Sequence, residues 1–240
     1  MSSPDAMECS AYDETHVAAS ELSLHGLWPN YDDDGEQRTG QMYPQFCDVW
    51  ARCFFDMFRW SSSCAVSDQV LNKYSDDFDQ YAPGYAREDN AAAHHEFQKH
   101  GTCMPIDADA FFEESFRAHR RMPTPAVIRT NVGKTVSLSA LQEAYGGADS
   151  VGISCTSEGD LDQVFTCYAP SFDKSRLDFR VNCPRNLLKS AYTNGCHVNG
   201  HGTVRIPLAT KQCDEHHLRQ NFVCETMPPK PTRTRQRMIY

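Results

Sequence analysis

A chain of 240 residues, 40% hydrophobic and 11% aromatic, can bury a domain-sized core, which excludes an intrinsically disordered chain. It contains no run of about 18 apolar residues, so no stretch reads as a membrane-spanning helix. A formal net charge of −9 excludes bulk electrostatic attraction to a polyanion, although ten histidines would offset that deficit as pH falls toward 5. A nucleic acid partner would therefore be held locally and in a salt-sensitive way.

Along the chain, residues 1–20 are polar and unpatterned. Residues 21–24 alternate weakly and read as a short strand running into His25-Gly26-Leu27-Trp28-Pro29. Pro29 and the run Asp32-Asp33-Asp34-Gly35 then force a turn or loop. Residues 49–60, rich in aromatics, read as a buried helix. Residues 67–81 read as one amphipathic helix with Val70, Leu71, Tyr74 and Phe78 inward. A helix is expected over 90–100, opened by a capping residue in Asp89-Asn90-Ala91 and ended by Gly101. Helices follow at 108–120 and 139–144, and the period then changes to strands at 152–155, 162–168 and 177–182. Helices and strands without βαβ alternation predict an α+β fold, a central antiparallel sheet with helices packed on it. The expected organisation is an irregular segment at 1–19, a catalytic domain at 20–226, and a Pro-rich, basic, disordered tail at 227–240.

Eleven cysteines are spread along the chain with no C-x-x-C pair. That pattern predicts a disulfide framework and an oxidising compartment rather than a zinc or redox motif. Residues 1–20 have no basic n-region or apolar h-region, and the cysteine count is odd. Both features predict a sequence that starts late, with a leader and a partner cysteine upstream.

The chemistry concentrates in two stretches. One is His25-Gly26-Leu27-Trp28-Pro29; the other is His95-Glu96-Phe97-Gln98-Lys99-His100-Gly101-Thr102-Cys103. On a helix, Glu96 and His100 share a face, and His95 and Lys99 share a neighbouring one. Two imidazoles, a carboxylate and an ammonium in so short a span suit proton transfer beside a phosphate. A zinc site of the H-E-x-x-H type needs histidines four apart. His95 and His100 are five apart, diverge by about 140° around a helix, and have Lys99 between them to repel a cation. No metal and no cofactor is expected. His197 and His201 are four apart but flanked by glycines, which favours a surface loop; His216 and His217 sit in a charged segment; His94 has no assigned role.

Together these two stretches resemble the signature motifs of the ribonuclease T2 family, H-G-L-W-P and H-E-W-x-K-H-G-T-C. Phe97 stands where the family usually has tryptophan. The resemblance covers roughly residues 20–200 and implies an endoribonuclease acting on single-stranded RNA, not DNA. It implies that His100 takes the proton from the ribose 2′-hydroxyl and that His25 protonates the departing 5′-oxygen. His95 then falls on a phosphate-binding position, and Glu96 and Lys99 on the pair that supports the transition state. One neutral and one protonated imidazole predict a bell-shaped pH profile with an acidic to neutral optimum. Trp28 reads either as a core tryptophan or as a stacking wall for a base. The resemblance favours the base site, with Asn30 and Tyr43 as further base contacts.

By the same resemblance Cys47 joins Cys103, Cys167 joins Cys183 and Cys155 joins Cys196. Proximity alone suggests Cys53–Cys64 and Cys213–Cys224, leaving Cys9. The strand with a Trp-Pro pair that precedes the first cysteine in relatives has no counterpart here. A secreted or lysosomal/vacuolar monomer is expected. The alternative is a ribonuclease-fold protein that has lost turnover and acts by binding RNA or protein, for which Phe97 and the missing strand argue.

Overall fold

The computed structural model describes residues 20–31, 43–47, 66–83, 90–189, 196, 202–207 and 238–239. The helix expected over 49–60, the histidines at 197, 201, 216 and 217, and the suggested pairings of Cys9, Cys53, Cys64, Cys213 and Cys224 lie outside them.

In chain order the elements are β1 (Asn30–Tyr31), α1 (Asp68–Lys73), α2 (Ser75–Tyr81), α3 (Ala91–Lys99), a 3-10 turn (Gly101–Cys103), α4 (Ala108–Arg121), α5 (Ala126–Arg129), β2 (Thr135–Ser137) and α6 (Leu138–Ala144). A second 3-10 turn (Ala148–Ser150), β3 (Val151–Cys155), β4 (Leu161–Pro170), β5 (Leu177–Val181), α7 (Arg185–Leu188), β6 (Thr203–Arg205) and β7 (Met238–Ile239) follow. Strands β3, β4 and β5 form a three-stranded antiparallel sheet in that order, and β2–β6 and β1–β7 are separate antiparallel pairs. The expected α+β class is observed.

Helix α4 lies against the sheet, its phenylalanines in one core cluster with Tyr168 and Leu177. Asp107 caps it, accepting from Ala110 N–H at 2.9 Å, and His119, Arg120 and Arg121 sit where the helix dipole favours cations. Phe111, Phe112 and Phe116 repeat at helical spacing and are fully buried beside Leu71, Phe78 and Leu177. The Glu114 carboxylate accepts from Leu177 N–H at 2.6 Å, and Tyr168 Oη donates to the Ala118 carbonyl at 3.2 Å, so helix and sheet are tied by buried polar bonds. A second core joins Leu141, Tyr145, Val151, Ile153, Val204 and Ile206.

Four local expectations are corrected. The single helix over 67–81 is two, because Tyr74 leaves helical geometry and its hydroxyl bonds Asp109 Oδ1 at 3.0 Å on α4. Leu71, Tyr74 and Phe78 are buried as expected, while Val70 is only half-buried. Residues 21–24 form no strand; isolated bonds hold them instead, from Leu22 N–H to Thr124 Oγ1 at 2.9 Å and from Leu24 N–H to the Tyr81 carbonyl at 2.6 Å. Met238 and Ile239, within the tail expected to be disordered, pair with Tyr31 and Asn30, so their backbone groups find a strand edge.

Three disulfides, Cys47–Cys103, Cys155–Cys196 and Cys167–Cys183, staple the fold in the expected pairing. Closing loops of 56, 41 and 16 residues restricts the unfolded chain by about 3–4 kcal/mol each in the chain-entropy account. No helix among the described residues is long and apolar enough to cross a membrane.

Candidate active site

Helix α3 carries half of the site. Ala93 and Phe97, four apart, face the core, and Phe97 packs at 5.7 Å, centroid to centroid, on Phe111. Phe97 therefore fills the core position, and its difference from tryptophan removes nothing from the site. Gly101 makes the packing possible: a Cβ there would run into the Phe97 ring and come within 3.1 Å of Phe111. Entry to α3 differs from expectation. Asn90 makes no side-chain cap; it sits at φ 50° in the left-handed region, and its carbonyl accepts from His94 N–H at 3.1 Å. His94 also receives a role, its Nδ1 accepting from Val66 N–H at 3.1 Å.

Glu96 and His100, on the next face of α3, meet the first stretch. Glu96 is 4% exposed. Its Oε2 accepts from Trp28 Nε1 at 2.7 Å and lies 4.0 Å from His100 Nε2, and its Oε1 lies 3.5 Å from His25 Nε2. One carboxylate thus stands between the two imidazoles. Gly26 permits the approach, since a Cβ there would collide with the Glu96 carboxylate and come within 2.9 Å of the indole nitrogen. The Trp28 ring stacks on His100 with centroids 4.7 Å apart and planes at 17°, and His25 meets Trp28 edge-on at 5.1 Å. Tyr43 lies 5.6 Å from His100 and 6.1 Å from Trp28.

His25 is half-exposed, whereas His100 is completely buried, with neither ring nitrogen finding a hydrogen-bond partner among the described residues. Buried polar atoms are rarely left so, and the cost is about 1–3 kcal/mol per group. Burial pushes the His100 imidazole down to about 3, against the attraction of Glu96 and with help from Lys99 and the neighbouring histidines. Burial thus favours the neutral form of the His100 ring. Burial alone would raise the Glu96 carboxyl, but the His25 contact, the histidine charges and the Trp28 N–H outweigh it and hold the group below its ordinary value, ionised.

His95 contacts Phe46 edge-on at 6.4 Å, and burial holds it below the ordinary imidazole value. The protonated form of His95 is thus disfavoured. The Lys99 carbonyl accepts from Phe46 N–H at 2.8 Å, beside the Cys47–Cys103 disulfide, so the end of α3 is fixed to the 43–47 segment. Among the described residues no three His, Cys, Asp or Glu side chains gather as metal ligands do.

Asn30 stands at the start of β1, buried, with its Nδ2 donating to Asn186 Oδ1 at 3.3 Å. Asn186, on α7, was not found by sequence reasoning. It lies 156 residues away and belongs to no motif. Its Oδ1 also accepts from Leu187 N–H at 2.7 Å and its Nδ2 donates to the Tyr31 carbonyl at 3.1 Å. Because the main-chain partners can act only one way, both amides are oriented unambiguously, and the Asn30 carbonyl oxygen has no partner among the described residues. His25, Trp28, Asn30, Tyr43 and Phe165 line one cavity of about 300 Å³.

Comparison with known proteins agrees with this geometry. The sequence profile of the Ribonuclease T2 family matches residues 2–183. Ribonuclease 1 of Arabidopsis thaliana is 28% identical over 178 residues, covering 68% of this chain and 69% of that protein. Ribonuclease 3 of the same plant is 26% identical over 199 residues, covering 75% and 77%. Among solved structures, the T2 ribonuclease Actibind aligns with a TM-score of 0.52 at 18% identity over 82% of this chain and 83% of its own. RNase NT in complex with 5′-AMP aligns at 0.50 and 17% over 80% and 91%. With the paired motifs, the three disulfides and the fold in agreement, the chain belongs to the ribonuclease T2 family and is a ribonuclease.

Proposed function

We propose that the chain cleaves single-stranded RNA internally, without a metal, by internal attack of the ribose. The 2′-hydroxyl oxygen bonds to the adjacent phosphorus as neutral His100 takes its proton. The bond from phosphorus to the 5′-oxygen breaks as protonated His25 gives that oxygen a proton. The products are a 2′,3′-cyclic phosphate and a free 5′-hydroxyl, and water later opens the ring to a 3′-phosphate. The observation that carries this reading is Glu96, one buried carboxylate shared by the two imidazoles. It stabilises charge on whichever ring holds the proton, while Lys99 offsets charge growing on the phosphoryl oxygens. His95 contributes to the phosphate site. DNA, lacking the nucleophile, is inert.

Base recognition falls to Trp28 and Tyr43, beside His100, and to Asn30. With its Nδ2 committed to Asn186, Asn30 offers a base a carbonyl acceptor. Burial favours the neutral form of His100, the form a proton acceptor needs. The disulfides support an oxidising compartment, secreted or lysosomal/vacuolar.

The test is an oligodeoxynucleotide carrying one ribonucleotide, incubated at pH 5 with EDTA and followed by mass spectrometry. A cyclic-phosphate product from the wild type and none from His100→Ala is expected. Loss of cleavage in EDTA, or a 5′-phosphate product, sinks the mechanism.

A further inference from the structure

Strand alternation puts an exposed aromatic on the same sheet face as the site. Val181 lies opposite Cys167 in the β4–β5 register, so the two share a face. Phe165, two residues before Cys167, and Phe179, two before Val181, share it as well. Phe165 packs 5.9 Å from Trp28. Phe179 is about 13 Å further along the strands and is 65% exposed.

Helix α7 covers this same face, its Leu187 and Leu188 packed with Phe165, Val181 and the Cys167–Cys183 bridge. Its two cations, Arg185 within the first turn and Lys189 at the C-cap, are exposed, and neither enters an ion pair among the described residues. In a chain of net charge −9, two cations without an ion pair among the described residues, on the helix that covers the face carrying the exposed Phe179, form a local exception.

We infer that this face is a secondary track for single-stranded RNA: Phe179 stacks a base beyond the cleavage site, and Arg185 and Lys189 hold the backbone leading to it. Aromatics spaced along a sheet with flanking cations bind single strands without demanding a base identity. The track rests on the RNA reading above, and it explains how an acidic protein retains a polyanion after the first contact.

The test compares wild type, Phe179→Ala and Arg185→Gln/Lys189→Gln on a ribodinucleotide and on a longer unstructured oligoribonucleotide. Binding of a 2′-O-methyl oligonucleotide, which cannot be cleaved, is measured in parallel. Phe179→Ala is expected to lower kcat/KM on the long substrate, and to weaken binding, by about 5- to 100-fold with the dinucleotide unchanged. The double variant is expected to flatten the log–log salt dependence of binding by about 1.4. Equal losses on both substrates, or none on either, overturn the track. So does loss of binding to anionic phospholipid vesicles with RNA binding intact, which would assign the face to a lipid surface. If the wild type cleaves nothing yet Phe179→Ala still weakens binding, the track stands and the cleavage reading fails.

Discussion

Helix α4 opens on an Asp107 side chain that caps it, and it buries Phe111, Phe112 and Phe116 almost completely. Helix α3 opens on Asn90 in a left-handed conformation without a side-chain cap, and it delivers His100 into the interior with neither nitrogen partnered among the described residues. The two helices are neighbours in the chain and pack through Phe97 and Phe111. The first opens on a side-chain cap and buries an apolar face, while the second departs from the usual pattern at both of its ends. Departures of that kind mark where stability has been given up for chemistry. The core of α4 holds α3 in place against the cost of the buried His100 imidazole.

Substitutions in the two helices should therefore separate activity from stability. The largest effect is expected from His100→Ala, which removes one proton transfer and lowers kcat by about 10²- to 10⁴-fold with the melting temperature maintained or raised. A melting temperature that falls as far as kcat would break the contrast. Phe116→Ala should show the opposite pattern, losing about 3–5 kcal/mol in urea unfolding while the fraction that remains folded keeps its kcat.

A third prediction uses pH. The folded His100 imidazole is lowered to about 3 from an unfolded value of 6.5, so between those values the unfolded chain binds more protons. Stability from this group is complete above the unfolded value and is lost as pH falls toward the folded one. From pH 6.5 to 4.5 the loss is about 2 kcal/mol. His100→Phe should flatten the stability–pH curve by that amount, and parallel curves for the two proteins would contradict the burial argument. The smallest effect belongs to the helix starts. Asp107→Ala should cost about 1 kcal/mol, whereas Asn90→Gly should cost nothing, because glycine accepts the left-handed geometry.

The sequence exposes some of these features and conceals others for physical reasons. Spacing of four on a helix places Glu96 beside His100 whatever surrounds them, so that pairing was legible. The three disulfides and the partner histidine, His25, came from the family resemblance rather than from spacing. The break at Tyr74 was not legible, because a hydroxyl bond to Asp109 in a later helix decides it. Nor were β1, β2, β6 and β7, which are two or three residues long and owe their existence to their partners rather than to a periodic pattern. Asn186 was hidden for the same reason: its task is defined by Asn30 and Tyr31, far away in the chain. Asn90 misled, because an asparagine before a helix serves equally as a side-chain cap or as a left-handed entry.

Since a single carboxylate answers to both imidazoles, the two rings cannot be tuned one at a time. Moving the Glu96 oxygens toward one ring withdraws them from the other, and Trp28 Nε1, bonded to the same oxygen that faces His100, resists either displacement. The energetic signature of such a shared group is coupling. In a double-mutant cycle, His25→Ala combined with Glu96→Ala should cost much less than the two single losses added together.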